Sequence, residues 1–253
     1  MSIQVEKKER VVFVRLNRPP LNVLDIALLR ELGQILTACA EDATADIVVL
    51  QGSGERAFSA GVDIGDHTPD KAAGMLKVVH GIIRQLLSLP QVTIALIRGV
   101  CLGGGCELAS SCDLLLASED SSFATPEIRV GCYPPVALAR FPVLIGYHRA
   151  AEMILTGKRF SAQEALAIGL INRVFPKEEL EKGLEALLDD LRGNSGAVLR
   201  IAVKGLREAS LKSFSDDLRR SEALYLYELL PTQDAAEGIQ AFLEKRHPRW
   251  SHR

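Results

Sequence analysis

No stretch of this 253-residue chain comes near the roughly 18 uninterrupted apolar residues of a membrane-crossing helix. The opening "MSIQVEKKERVVFVRL" has no apolar run behind a basic cap, so no secretory leader is expected. Cysteine is sparse and odd in number: Cys39, Cys101, Cys106, Cys112 and Cys132 include no C-x-x-C pair. That argues against a disulfide framework and a zinc knuckle, and for buried thiols in a reducing compartment. The histidines, His67, His80, His148, His247 and His252, match no metal-ligand spacing, so no metal is expected. Charge of one sign is also lacking: the net charge is −2, which gives no electrostatic case for a nucleic-acid partner. Cytoplasmic location is the resulting expectation.

What is present is an alternation of strand and helix patterns. Residues 10–19 are rich in Val and Phe and stop at a proline, which predicts a strand. Apolar residues at helical spacing over 24–42, with Asp25 as cap, predict a helix. Buried strands are expected at 45–54, 91–102 and 113–118, with a second amphipathic helix over 71–90. From about residue 137 strand signals fade. Ser161 and Glu164 stand in capping-box spacing before a short helix that ends at Gly169, and helices are expected near 177–193, 196–211 and 214–230. The pattern implies an α/β core followed by a helical part.

The most unusual segment is "CLGGGCELASSCD" at 101–113, three glycines followed two residues later by Glu107. A Walker loop would need Lys-Ser/Thr after the last glycine, and Cys106-Glu107 stands there instead. The G-x-G-x-x-G dinucleotide fingerprint fails for want of its third glycine. Two readings remain. The glycines either permit close strand–helix packing with Glu107 complementing the helix dipole, or expose backbone N–H donors suited to an oxyanion. A second small-residue turn, "RAFSAGVDI" at 56–64, and a second glutamate, Glu127 in "FATPEIRVG", favour the oxyanion reading.

These stretches, taken in order, resemble the crotonase or enoyl-CoA hydratase/isomerase superfamily. "AFSAGVDI" is similar to its first oxyanion turn, and "GVCLGGGCELASSCDLLLAS" (99–118) to its central signature. "FATPEIRVG" is similar to the segment bearing its second carboxylate, and 150–176 and 237–250 resemble its later helical and closing segments. The resemblance implies a crotonase-like spiral of ββα units over residues 1–195 and a C-terminal helical trimerisation region over 196–253. It implies a homotrimer or a hexamer built as a dimer of trimers. It also implies an acyl-CoA thioester substrate, with no metal and no cofactor beyond the coenzyme A of the substrate itself.

Residue by residue, the backbone N–H groups of Val62 and Gly104 match the oxyanion donors, and Glu107 and Glu127 the two carboxylates of the hydratases. Retention of both carboxylates points to hydration or its reverse. Arg56 matches a cation that contacts the CoA phosphates, although a solvated loop charge fits equally. Ala60 and Ile64 match the adenine-binding turn. Lys245 and Arg246 approach CoA or simply end a solvated helix. Asp113 matches a structural position.

After Glu127 the family's straight-chain hydratases carry a glycine-rich run, where this chain has "GCYPPVALARFP" (131–142). Prolines stiffen that segment. With "RPPLNVLD" (18–25) it is similar to family members that hydrate a cyclic dienoyl-CoA, cyclohexa-1,5-diene-1-carbonyl-CoA. Tyr133, Pro134, Pro135 and Phe141 would then line a flat acyl pocket, or else belong to the core. The alternatives are a short straight-chain enoyl-CoA hydratase, an enoyl-CoA isomerase, and a non-catalytic acyl-CoA- or RNA-binding relative.

Overall fold

The computed structural model describes residues 2–253. Two sheets share the strands. The larger has the order β1 (Ile3–Lys8), β2 (Val11–Leu16), β3 (Ile47–Gly52), β5 (Val92–Ile97), β7 (Leu114–Ser118) and β10 (Arg173–Phe175). The smaller has the order β4 (Ala57–Ser59), β6 (Val100–Leu102), β8 (Ser122–Ala124) and β9 (Phe160–Ser161). Within the larger sheet only β1 runs antiparallel, and within the smaller only β9.

The chain visits the sheets alternately and then forms a helix. β3 and β4 lead to α2 (Ala72–Leu87), and β5 and β6 to α3 (Gly104–Ser110). β7 and β8 lead to a 3-10 turn at Pro126–Val130. Such repeated ββα units stack as a spiral. β2 precedes α1 (Ile26–Glu41), whose cap Asp25 accepts a hydrogen bond from Leu28 N–H at 2.8 Å as expected.

β3 and β5 read as near-continuous apolar runs because helices cover both faces of a parallel sheet. One core cluster lies between the two sheets and α1 and α2, and another lies under α7 (Leu180–Arg192) and α8 (Gly196–Ser210). The C-terminal helices α9 (Phe214–Leu224) and α10 (Gln233–Leu243) also contribute to the first cluster, through Phe214, Leu218 and Ile239.

Three expectations are corrected. Residues 91–102 form two strands in different sheets rather than one, because the chain turns at Arg98-Gly99. Strand structure persists beyond residue 137: the short β9 and β10 form where a sheet edge was available, on sequences too brief to show a period. The helix expected over 214–230 changes character at Tyr225, where a π-helical turn runs to Leu229. The capping box of Ser161 and Glu164 is present in full at α6 (Ala162–Ala167).

Candidate active site

The three parallel strands of the smaller sheet end side by side, and each delivers one group to the same place. Val62 follows β4, Gly104 follows β6 and Glu127 follows β8. Carboxyl ends of parallel strands are where α/β sheets most often bind ligands. A Cβ placed on Gly104 would stand 2.7 Å from Val62 Cγ2 and 3.4 Å from Val62 N, so the first two turns abut. Gly104 opens α3, which leaves its N–H without an intrahelical partner. Val62 is held by a bridge to Leu24 whose hydrogen bonds use Gly61 and Asp63, leaving the Val62 N–H unused. Among the described residues neither N–H has an acceptor.

Gly103 sits between β6 and α3 with φ +53, and a Cβ there would fall 2.5 Å from Glu127 Oε1. The glycine thus provides both the turn and the space for a carboxyl group.

Glu107 lies one turn into α3 and is 3 % exposed, and Glu127 in its 3-10 turn is 9 % exposed. Glu107 Oε1 accepts the N–H of Ala137 at 2.9 Å. That amide is in the first turn of α4 (Pro135–Ile145), so the positive end of a helix faces the carboxylate. Burial still dominates and raises the Glu107 pKa above the usual carboxylate range, with the Ala137 and Val136 amides opposing it. Glu127 is raised by burial first and by the charge of Glu107 second, and its Oε2 is buried without a partner. Two carboxyl groups in one buried site do not ionise together easily, so near neutral pH the pair tends to keep a proton. One base and one acid in a shared site is the arrangement that a proton-transfer reaction needs.

A cavity of about 530 Å³ opens onto these groups. Val62, Gly104, Glu107 and Glu127 line it together with Ala60, Ile64, Tyr133, Pro134 and Pro135. Tyr133 is fixed there by donating its hydroxyl to Ser221 O at 2.8 Å.

Other expected site residues lie elsewhere. Phe141 is fully buried in the core and does not line the cavity, because the face of α4 carrying Ala137 and Phe141 turns inward while Pro134 and Pro135 start the helix at the cavity wall. Arg56 is exposed in the turn before β4 and stands outside the wall. Lys245 is exposed just past α10, also outside the wall, and Arg246 is engaged by Glu237 and Glu244 at 2.6 Å each. Asp113 makes a clamp with Arg207, whose Nε is 2.9 Å from Asp113 Oδ1. Among the described residues no cluster of three or more His, Cys, Asp or Glu side chains could hold a metal ion.

Sequence reasoning overlooked His67, His80 and Arg129, all of which line the cavity. A search for metal spacing is blind to single histidines. The available signal was His80 on the buried face of an apolar helix, where an imidazole needs a reason to be.

Comparison with known proteins shows the family. The profile of the family described as enoyl-CoA hydratase/isomerase matches residues 6–253. The chain is 34% identical over 253 residues to cyclohexa-1,5-dienecarbonyl-CoA hydratase of Thauera aromatica, covering 100% of this chain and 97% of that protein. It is 32% identical over 259 residues to carnitinyl-CoA dehydratase of Proteus mirabilis, covering 100% and 99%. Among solved structures, an enoyl-CoA hydratase from Mycobacterium avium subsp. paratuberculosis superposes with a TM-score of 0.89 at 27% identity over 99% of both chains.

Proposed function

The chain belongs to the enoyl-CoA hydratase/isomerase family, and from that premise we propose that its substrate is a conjugated cyclic dienoyl-CoA, cyclohexa-1,5-diene-1-carbonyl-CoA. It is an enzyme of the enoyl-CoA hydratase type, a hydro-lyase. The observation that carries the reading is the meeting of two buried carboxyl groups and two unused backbone N–H groups in one cavity.

In this reading the N–H groups of Val62 and Gly104 hold the thioester oxygen. The ionised member of the glutamate pair takes a proton from water as the hydroxyl bonds to the β carbon. The electrons of the conjugated system move onto the thioester oxygen, giving an enolate that the two donors stabilise. Each such donor is worth about 10²–10³ in rate. The enolate then takes a proton on carbon from the neutral carboxyl, at the α carbon of a simple enoyl group or at the far end of a diene. The sum is one water added across the unsaturated system.

The proline-stiffened wall at Tyr133, Pro134 and Pro135 supports a flat ring, as does the similarity to the Thauera hydratase. Arg56 and Lys245 serve the CoA moiety, and no cofactor is needed beyond the coenzyme A of the substrate. The protein assembles as a trimer or a hexamer in the cytoplasm, with neither nucleic acid nor membrane as partner. Exposure of Val198, Ile201 and Leu206 on α8 supports an apolar face covered by another copy.

The test is kcat/KM for hydration of cyclohexa-1,5-diene-1-carbonyl-CoA against crotonyl-CoA. A strong preference for the ring upholds the reading. Preference for crotonyl-CoA makes the protein a straight-chain hydratase, and turnover of a 3-enoyl-CoA alone makes it an isomerase.

A further inference from the structure

One face of the C-terminal region holds three side chains of the cavity wall. Ser221 O accepts the Tyr133 hydroxyl at 2.8 Å, Glu222 Oε1 lies 2.5 Å from His80 Nδ1, and the Tyr225 hydroxyl lies 2.8 Å from His67 Nδ1. Tyr133, His80 and His67 all line the cavity. Tyr225 is fully buried and opens the π-helical turn Tyr225–Leu229 that follows α9. Such turns occur frequently at functional sites.

Tyr225 reaches two segments of the site. On one side, His67 follows Val62 by a single 3-10 turn, Ile64–Asp66, which the His67 N–H closes on Ile64 O at 3.0 Å. On the other, Tyr133 lies edge-on to the Tyr225 ring, with centroids 5.2 Å apart. The preceding residue, Cys132, donates its N–H to Glu127 O at 3.0 Å and brings its thiol to the Tyr225 hydroxyl. One phenol therefore spans the turn with an unused backbone donor and the turn with a buried carboxyl. The strands that deliver them, β4 and β8, are not neighbours, since β6 lies between them. No ladder hydrogen bond fixes one turn against the other, so the tie must come from outside the sheet.

We propose that Tyr225 is a positioning residue, whose hydroxyl fixes the Val62 turn against the Glu127 turn and so sets the thioester oxygen at the right distance from the carboxyl. The inference rests on the roles read above for Val62 and Glu127. Burial holds the His67 imidazole neutral, its pKa pushed down to about 4. A neutral ring bonds the phenol in either tautomer, because a phenol both donates and accepts. Phenylalanine at 225 would keep an aromatic ring against Tyr133 but leave Nδ1 of a buried imidazole without its partner. The turn is then free to shift, and a shift on the ångström scale slows a reaction that needs both groups in place at once.

The experiment is a double-mutant cycle of Tyr225→Phe and His67→Leu, assayed on whichever ester the wild type hydrates, cyclohexa-1,5-diene-1-carbonyl-CoA or crotonyl-CoA. Tyr225→Phe is expected to lower kcat about tenfold. KM, and the calorimetric Kd of butyryl-CoA, a saturated ester that cannot be hydrated, should stay within about twofold of wild type. His67→Leu breaks the tie from its other end and should also lower kcat. In that background Tyr225→Phe should cost less than about twofold more, because a tie broken at one end has nothing left to lose. Leu218→Val, a buried change on α9 outside the cavity wall, is the stability control: it should lower the denaturant midpoint and leave kcat unchanged. A kcat near wild type in either single variant overturns the proposal, and so does an equal loss from Tyr225→Phe in both backgrounds. A matching fall in kcat for Leu218→Val would mark general loosening and overturn it as well. Glu127→Gln separates this inference from the reading beneath it. If that variant keeps the wild-type rate, the site reading fails and the proposal falls with it; if it loses the rate while Tyr225→Phe does not, the proposal alone fails.

Discussion

Glu107 and Ala137 are joined by a 2.9 Å hydrogen bond across 30 residues of sequence, from the backbone N–H of one to the carboxylate of the other. The bond depends on where α4 begins. Pro135 takes the first helical position, where its missing N–H costs nothing and its fixed φ favours the turn. The next two amides, of Val136 and Ala137, are then free to face Glu107. The proline pair at 134–135 thus has a role beyond the shape of the cavity, since it sets the helix end that orients a carboxyl group.

Glu107→Gln and Glu127→Gln should each fold and bind CoA esters while losing about 10²–10⁴ in kcat. A glutamine at 107 keeps an oxygen for the Ala137 amide but cannot shuttle a proton. Rates near wild type in either variant would remove the paired-carboxylate mechanism. Steady-state kinetics with separate binding measurements distinguishes lost chemistry from lost affinity.

The same carboxyl groups give stability a pH dependence of definite sign. Both pKa values are raised on folding, mainly by burial. Below the unfolded carboxyl value both states are protonated. Above it, the folded state retains protons that the unfolded chain has lost, so stability falls as pH rises until the folded pair has titrated. Wild-type Tm should therefore drop between mildly acidic and mildly alkaline pH, and Glu127→Gln should drop less. At alkaline pH the variant should melt a few degrees above wild type, on the order of what 1 kcal/mol shifts Tm in a domain of this size. Calorimetric scans at several pH values provide the check, and a variant curve parallel to wild type would contradict the assignment.

Gly103→Ala should harm activity more than folding. Its φ of +53 disfavours any side chain, and the added Cβ would stand 2.5 Å from Glu127 Oε1. Backbone strain should cost about 1–2 kcal/mol of stability. Displacement of the carboxyl group should lower kcat by at least tenfold, as misplacing a catalytic group does at the ångström scale. Denaturant unfolding and kinetics on one preparation compare the two effects.

Asp113→Ala should act on stability. Arg207 is 8 % exposed and donates to Asp113, to Leu89 O and to Gln91 O. Removing the carboxylate leaves a buried guanidinium without its counter-charge, a loss of about 3–5 kcal/mol. Substrate KM should stay near wild type, because neither residue lines the cavity.

Long periodic segments were legible from sequence: α1 and α2 fall close to their expected limits because their apolar faces repeat over 16 residues each. Short strands such as β8 and β9, of three and two residues, carry no period to read. Their existence depends on a neighbour supplied from far along the chain. The site was legible where it depends on backbone chemistry, as with the glycines before Glu107, because few residue types satisfy such positions. Phe141 could not be assigned from sequence, since pocket and core both select an aromatic and only the rotation of α4 separates them. The pairing of His80 could not be read from sequence for the converse reason: its partner Glu222 lies 142 residues away.

The alternation of the chain between two sheets bears on how such an enzyme can change. Val62, Gly104 and Glu127 leave three successive coils at corresponding points, each carried by its own strand of the smaller sheet. A lengthened connection on one coil, or a new side chain at its exit, leaves the rungs above and below in register. The two unused backbone donors can therefore persist while the residue on a single rung is exchanged. The scaffold is a ladder on which chemistry can be rewritten one step at a time.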